Sequence, residues 1–243
     1  MLGLIEQLIY IKELDKSKYC LKESQLTYII GKGSNRYLYI LLNTSIMSVS
    51  YGSKQKWIEK GYEHFALFGP ENLSINKISK EIGSSRASFY HYFGDMDVFI
   101  EELLDIHWQM GQDFNTAGIE SCKRFFPDLY KLIEKYPIPL QFNRQLFLNR
   151  HIPAFNYMFN KMYSTHSRSF TLTLFSEQFD LHQSKEIINN LWVTVGESWY
   201  SRLDPNNLSA VKMQQLSEEI MNSVLKFMAS DLYSKMHGTP LKD

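Results

Sequence analysis

Gly83 and Gly94 bracket a run of ten residues, SSRASFYHYF, that is too short and too punctuated for an ordinary core helix. Just upstream, Ser74 is placed to cap a short helix whose inner face is Ile75, Ile78 and Ile82. Gly83 supplies the positive φ that a sharp inter-helix turn needs. Ser84 or Ser85 then caps a second short helix that ends at Phe93. Two short helices joined by a tight glycine-containing turn constrain the chain to a helix-turn-helix.

On a helical wheel of Ser84–Phe93, Ala87, Phe89 and Phe93 turn inward toward Ile78, Ile82 and Phe65. Arg86, Ser88, Tyr90 and His91 are left outward, and such a set suits base edges and phosphates better than a core. Arg bonds guanine bidentately, Ser and Tyr reach phosphate or base, and small Ala87 lets the helix approach a groove closely. The alternative is that the aromatics simply pack a three-helix core. Charge decides little between the two. Lys54, Lys56, Lys60, Lys77, Lys80 and Arg86 only modestly outnumber Glu59, Glu63, Glu71 and Glu81. The whole chain is neutral, with 26 Lys+Arg against 26 Asp+Glu, so affinity for nucleic acid has to be local.

The flanking pattern is helical throughout. From Ser53, Trp57, Ile58, Gly61, Tyr62, Phe65 and Phe68 form one stripe, with Lys54, Lys56 and Lys60 on the exposed side, and Gly69-Pro70 ends the helix. Asp95 caps the helix after Gly94, which reads as running to about Phe114. Five further helices follow: two separated by Pro137 and Pro139, a long one from Pro153 to about Phe179, then Gln183–Arg202 and Leu208–Met236. The inward face of Gln183–Arg202 includes Ile187, Ile188, Trp192, Val195 and Trp199; that of the last helix includes Leu216, Ile220, Val224, Leu225, Met228 and Leu232. The expected fold class is all-α: a helix-turn-helix domain over 51–95 and a larger helical domain over 96–243. Residues 1–50 read differently, either as a genuine extension or as a stretch upstream of a start at Met47.

The stretch FALFGPENLSINKISKEIGSSRASFYHYFGDMDVFIEELL resembles the DNA-binding segment of TetR-type transcriptional regulators, over roughly Lys54–Leu104. The resemblance implies a homodimer on a palindromic operator in double-stranded DNA, usually a repressor, released when a small apolar or aromatic molecule fills the larger domain. It places Lys54, Asn76, Lys77, Ser85, Arg86, Ala87, Ser88, Tyr90, His91 and Tyr92 at the DNA. It implies that the last two helices pair with a second copy, through Ile188, Trp192, Val195, Trp199, Ile220 and Val224. One position departs from the pattern: Met96, between Asp95 and Asp97, stands where the family often has a phosphate-contacting lysine.

The middle helices are rich in aromatic residues and methionines, most of which are ordinary core. A subset, including His107, Trp108, Gln141, Phe159, Tyr163 and His166, is expected to line an effector pocket. No catalytic, metal or cofactor site is expected, because His151, His166 and His182 lack metal-ligand spacing and no glycine-rich phosphate loop occurs. Two distant cysteines, no signal-peptide pattern and only short apolar runs lead to the expectation of a soluble cytoplasmic chain without membrane contact. The rival reading is a helical ligand-binding or interaction protein of the same fold with weak or lost specific DNA binding.

Overall fold

The structure, a computed structural model, describes residues 52–228. The N-terminal region to Tyr51, with Cys20 and Met47, and Leu232 and Met236 at the other end lie outside them. By compactness the chain divides into Met1–Trp57 and Ile58–Asp243.

Every regular element among the described residues is helical. α1 spans Gly52–Phe68, α2 Ile75–Glu81, α3 Arg86–Phe93 and α4 Met96–Ser121. A kinked segment at Phe125–Leu129, with Phe126 in an extended conformation, leads into α5, Tyr130–Ile133. Then come α6 Pro137–Leu148, α7 Pro153–His166, a π turn Ser167–Thr171, and α8 Leu172–Gln178. α9 Lys185–Arg202 and α10 Ala210–Met228 complete the order. Among the described residues no helix is long and apolar enough to cross a membrane.

The caps follow from local chemistry. Ser74 accepts from the Lys77 N–H, Ser85 from the Ser88 N–H, Asp95 from the Val98 N–H and Ser184 from the Ile187 N–H. Gly69, Gly83 and Gly94 all hold positive φ. Gly83 and Gly94 are the two turns that aim α3, and a side chain at either would be strained.

Some elements differ from expectation. α4 continues to Ser121 rather than ending near Phe114. The reason is tertiary: Gly111 and Gly118 bring one face of α4 so close to Met162 and Phe170 that a methyl group on either would overlap them. That packing outweighs the poor helix propensity of glycine. The helix expected from Pro153 to about Phe179 runs without a break to Gln178, with a π turn at Ser167–Thr171 inside it. Phe68, assigned to the inner stripe of α1, is 54% exposed, with its ring edge-on to that of His64. Ile187 and Leu225, assigned inward on α9 and α10, are exposed as well.

Two groups of buried residues stand out among the described residues of Ile58–Asp243. Phe65 stacks on Phe142 at 4.1 Å and meets Phe155 edge-on at 5.4 Å, joining α1 to α6 and α7. A larger cluster holds Phe125, Tyr130, Phe175, Trp199, Met213 and Met221. In it α9 is pinned to α10 by the Trp199 indole N–H, which donates to Met213 O at 3.0 Å.

Candidate nucleic-acid interface and ligand cavity

α3 is a two-faced helix. Phe89 and Phe93 are buried, and their rings meet Phe99 of α4 at 5.2 and 4.7 Å between centroids. Gly61 of α1 lies directly against the Phe99 ring, with no room for a side chain. One ring therefore locks α3 to α1 and α4. With that side fixed, Arg86, Ala87, Tyr90 and His91 are held exposed on the other, Tyr90 by 48%. Ala87, counted above on both faces, belongs to the outer one.

Asn76, Lys77 and Lys80 are exposed on α2. No ion pair among the described residues engages Lys77, Lys80 or Arg86, so their charge is available to a polyanion. Lys60 behaves otherwise: it is half-buried and paired with Glu63 and Glu81, not displayed on an open face. Lys54 lies in the Met1–Trp57 unit, half-buried. Ser85 is spent as the cap of α3. Ser88 is half-buried; its hydroxyl donates to Ser85 O at 2.6 Å and lies 2.7 Å from Ser84 Oγ. These bonds brace the start of α3. Tyr92 is half-buried beside His91 and Phe93.

α2 is tied to α1 by a bond that no local pattern announces. His64 Nε2 lies 2.9 Å from Glu81 Oε2, with Lys60 Nζ at 3.8 Å from the same oxygen. Hydrogen bonding from His64, then its charge and that of Lys60, hold the Glu81 carboxyl below its ordinary range.

In the larger helical part, a cavity of about 130 Å³ opens among α4, α5, α6, α7 and α9. His107, Tyr163 and His166 line it. Trp108, Gln141 and Phe159 do not: Trp108 carries Lys161 Nζ over its ring at 3.8 Å, and Phe159 packs on Phe147 and Tyr200. Trp192, Val195 and Trp199, assigned to a partner copy, line the cavity instead. Ile220 is buried in the core of its own chain, and Ile188, Val224 and Trp192 are half-buried. Val195, Trp199 and Ile220 turn inward because the apolar stripe of each helix packs into its own chain's core. Cavity residues with no sequence signal include Asn143, Thr171 and Tyr200, which only the tertiary fold brings together.

A polar chain runs from α1 to this cavity. The Tyr62 hydroxyl is 2.8 Å from His107 Nδ1, His107 Nε2 is 3.4 Å from Asn143 Oδ1, and Asn143 Nδ2 donates to the Tyr200 hydroxyl at 2.7 Å. Burial, only partly opposed by the bond to Asn143, pushes His107 down to about 3, so the ring is neutral at physiological pH. A neutral ring with its proton on Nε2 satisfies every link: Tyr62 donates, Nδ1 accepts, and Nε2–H donates to Asn143. Burial pushes the Tyr200 hydroxyl up to about 12 and that of Tyr163 higher still. Burial likewise lowers His166, whose Nε2 lies 3.1 Å from Gly111 O.

Residues 58–103 match the family described as bacterial regulatory proteins, tetR family. The chain carries a TetR-family DNA-binding domain. The match begins inside α1, covers α2, α3 and the Phe99 joint, and ends within the first two turns of α4. The match supports a DNA-binding transcriptional regulator. No curated protein matches the chain. Among the described residues no group of three His, Cys, Asp or Glu side chains is arranged to hold a metal ion.

Proposed function

We propose that this TetR-type regulator is a repressor that binds a palindromic operator as a homodimer and leaves it when a small apolar or aromatic molecule fills the cavity. The observation that carries the reading is the two-faced α3: Phe89 and Phe93 anchor it, while Arg86, Tyr90 and His91 stand exposed. In this reading α3 enters the major groove, with Ala87 permitting close approach and Asn76, Lys77 and Lys80 reaching the backbone. The DNA-binding part is 51–95 and the effector-binding and pairing part 96–243. The second copy docks on the outward sides of α9 and α10, where Ile187, Val193, Val211 and Leu225 are exposed, rather than on the inward-turned Val195, Trp199 and Ile220.

Release follows from linkage. A molecule in the cavity shifts the equilibrium only by its preference for the form that does not fit DNA. The polar chain from Tyr200 to Tyr62 gives it a route to α1.

The test is recovery of bound genomic DNA, followed by salt titration on the recovered site. The wild-type protein is expected to lose affinity with a log-log slope of about −0.9 for each neutralised phosphate. Tyr90→Ala is expected to abolish specific binding and keep full helicity. Unchanged affinity in Tyr90→Ala would remove α3 from the DNA.

A second reading has one observation in its favour. The first turn of α4 holds Met96 and Asp97 after the capping Asp95, with no cation. A ligand-binding or interaction protein with poor specific DNA binding would show this. Recovery of no discrete genomic site would favour it.

A further inference from the structure

The cavity has an unusual polar inventory. Its lining includes no Lys, Arg, Asp or Glu. A charged ligand would therefore lose its hydration and meet no counter-charge. Most of the polar groups in the wall are already engaged. The Tyr163 hydroxyl donates to Trp192 O at 2.7 Å, Tyr200 accepts from Asn143, and His166 is held at Gly111 O. Tyr130 is bonded to Ser217.

Thr171 is the exception. It is 4% exposed, it lines the cavity, and its hydroxyl has no hydrogen-bond partner. Ser167, Ser169 and Thr165, on the same stretch of helix, each donate to a carbonyl one turn back. Thr171 closes the π turn, a device that recurs at functional sites, and makes no such bond. A buried donor left unpaired is disfavoured unless something else accepts from it. The space beside it, about 130 Å³, is close to the roughly 150 Å³ of an apolar cavity known to hold benzene.

We propose that the cavity takes a small uncharged ring compound bearing one hydroxyl or carbonyl oxygen, which accepts a hydrogen bond from Thr171. The ring lies against Phe114, Met162 and Trp192, and the oxygen sits at the π turn. This deepens the effector reading above and rests on it for the cavity's role, but its test needs no DNA.

Three probes of one ring size separate the terms: acetophenone, with an accepting carbonyl; ethylbenzene, with none; and benzoate, with a charge. Titration calorimetry on the full chain is expected to rank acetophenone about five-fold tighter than ethylbenzene, the worth of one ordinary hydrogen bond, with no benzoate binding. In Thr171→Val the acetophenone advantage is expected to fall to near unity while ethylbenzene still binds, which also shows that the variant is folded. Benzoate binding as well as acetophenone, an undiminished acetophenone advantage in Thr171→Val, or binding of neither neutral probe would each overturn the assignment. Failure to find an operator, with this ranking intact, would instead sink the repressor reading.

Discussion

The Tyr62 hydroxyl on α1 and Nδ1 of His107 on α4 lie 2.8 Å apart, and both side chains are buried. The Tyr62 ring also stacks on Phe142 at 4.4 Å, and the His107 ring on the same Phe142 at 4.5 Å. A single apolar ring thus holds the two polar partners in register. The result is a directional link between the helix that begins the TetR-type segment and the wall of the cavity. Burial strengthens each bond in it and makes any orphaned member costly.

Tyr62→Phe keeps the stack on Phe142 and removes only the hydroxyl. His107 Nδ1 is then left buried without a donor. A loss of about 1–3 kcal/mol in unfolding free energy is expected, measured by urea denaturation at neutral pH. The DNA-release response to any cavity ligand is expected to weaken as well. A variant as stable as the parent would show that this bond contributes nothing to joining α1 and α4.

His107 gives a pH signature. Its folded-state value, about 3, lies below the ordinary histidine value of 6.5 because burial penalises the cation. Below 6.5 the unfolded chain takes up a proton that the folded chain refuses, so ν for the unfolded state exceeds that for the native state and stability falls as pH falls. The contribution is complete above 6.5 and is lost progressively toward pH 3, at a limiting slope of about 1.4 kcal/mol per pH unit. His166 is shifted in the same direction and adds to the slope. Stability measured from pH 7 to pH 4 should be less pH-dependent in His107→Gln than in the parent. Equal slopes would mean that His107 ionises in the folded state near its ordinary value.

What the sequence made legible was what depends on neighbours along the chain. The caps Ser74, Ser85 and Asp95, the glycine turns, and the buried Phe89 and Phe93 opposite exposed Arg86, Tyr90 and His91 are all set within a few residues. Ser88 was not legible, because its hydroxyl had a closer competitor in the α3 cap. The cavity was half legible. His107, Tyr163 and His166 stood out as polar groups among aromatics, but Asn143, Thr171 and Tyr200 meet only through contacts far apart in sequence. Periodicity marked an apolar face on α9 and on α10 and could not say whose core it would enter. Val195, Trp199 and Ile220 enter that of their own chain.

The Phe99 joint predicts an unusual helix substitution. Gly61→Ala should stabilise a helix by about 1 kcal/mol on propensity alone. Here the new methyl would overlap the Phe99 ring, which is fully buried and flanked by Phe89 and Phe93, so it cannot swing away. Overpacking wins, and a net loss of about 1–3 kcal/mol is expected by denaturant titration. Pairing it with Phe99→Leu should cost less than the sum of the two single changes, because they share one contact. Strict additivity would place the methyl elsewhere.

Met96→Lys tests the oddest position in the DNA-binding segment. Met96 is the first residue of α4, half-buried, between Asp95, whose carboxylate is committed to the Val98 N–H, and exposed Asp97. The parent therefore presents net negative charge at a helix start that, in the DNA-bound reading, faces phosphate. A lysine there partly offsets Asp97 and can extend to the backbone. Placed at the helix N-terminus it is mildly unfavourable to α4, so stability is expected to fall by a few tenths of a kcal/mol, up to about 1. Affinity for a recovered operator is expected to rise, and the log-log salt slope to steepen by about 0.9 for each added phosphate contact, or roughly twice that for a dimer. Tighter binding with an unchanged slope would mean that residue 96 acts through α4 and not on phosphate. An unchanged affinity would place the start of α4 away from the DNA backbone.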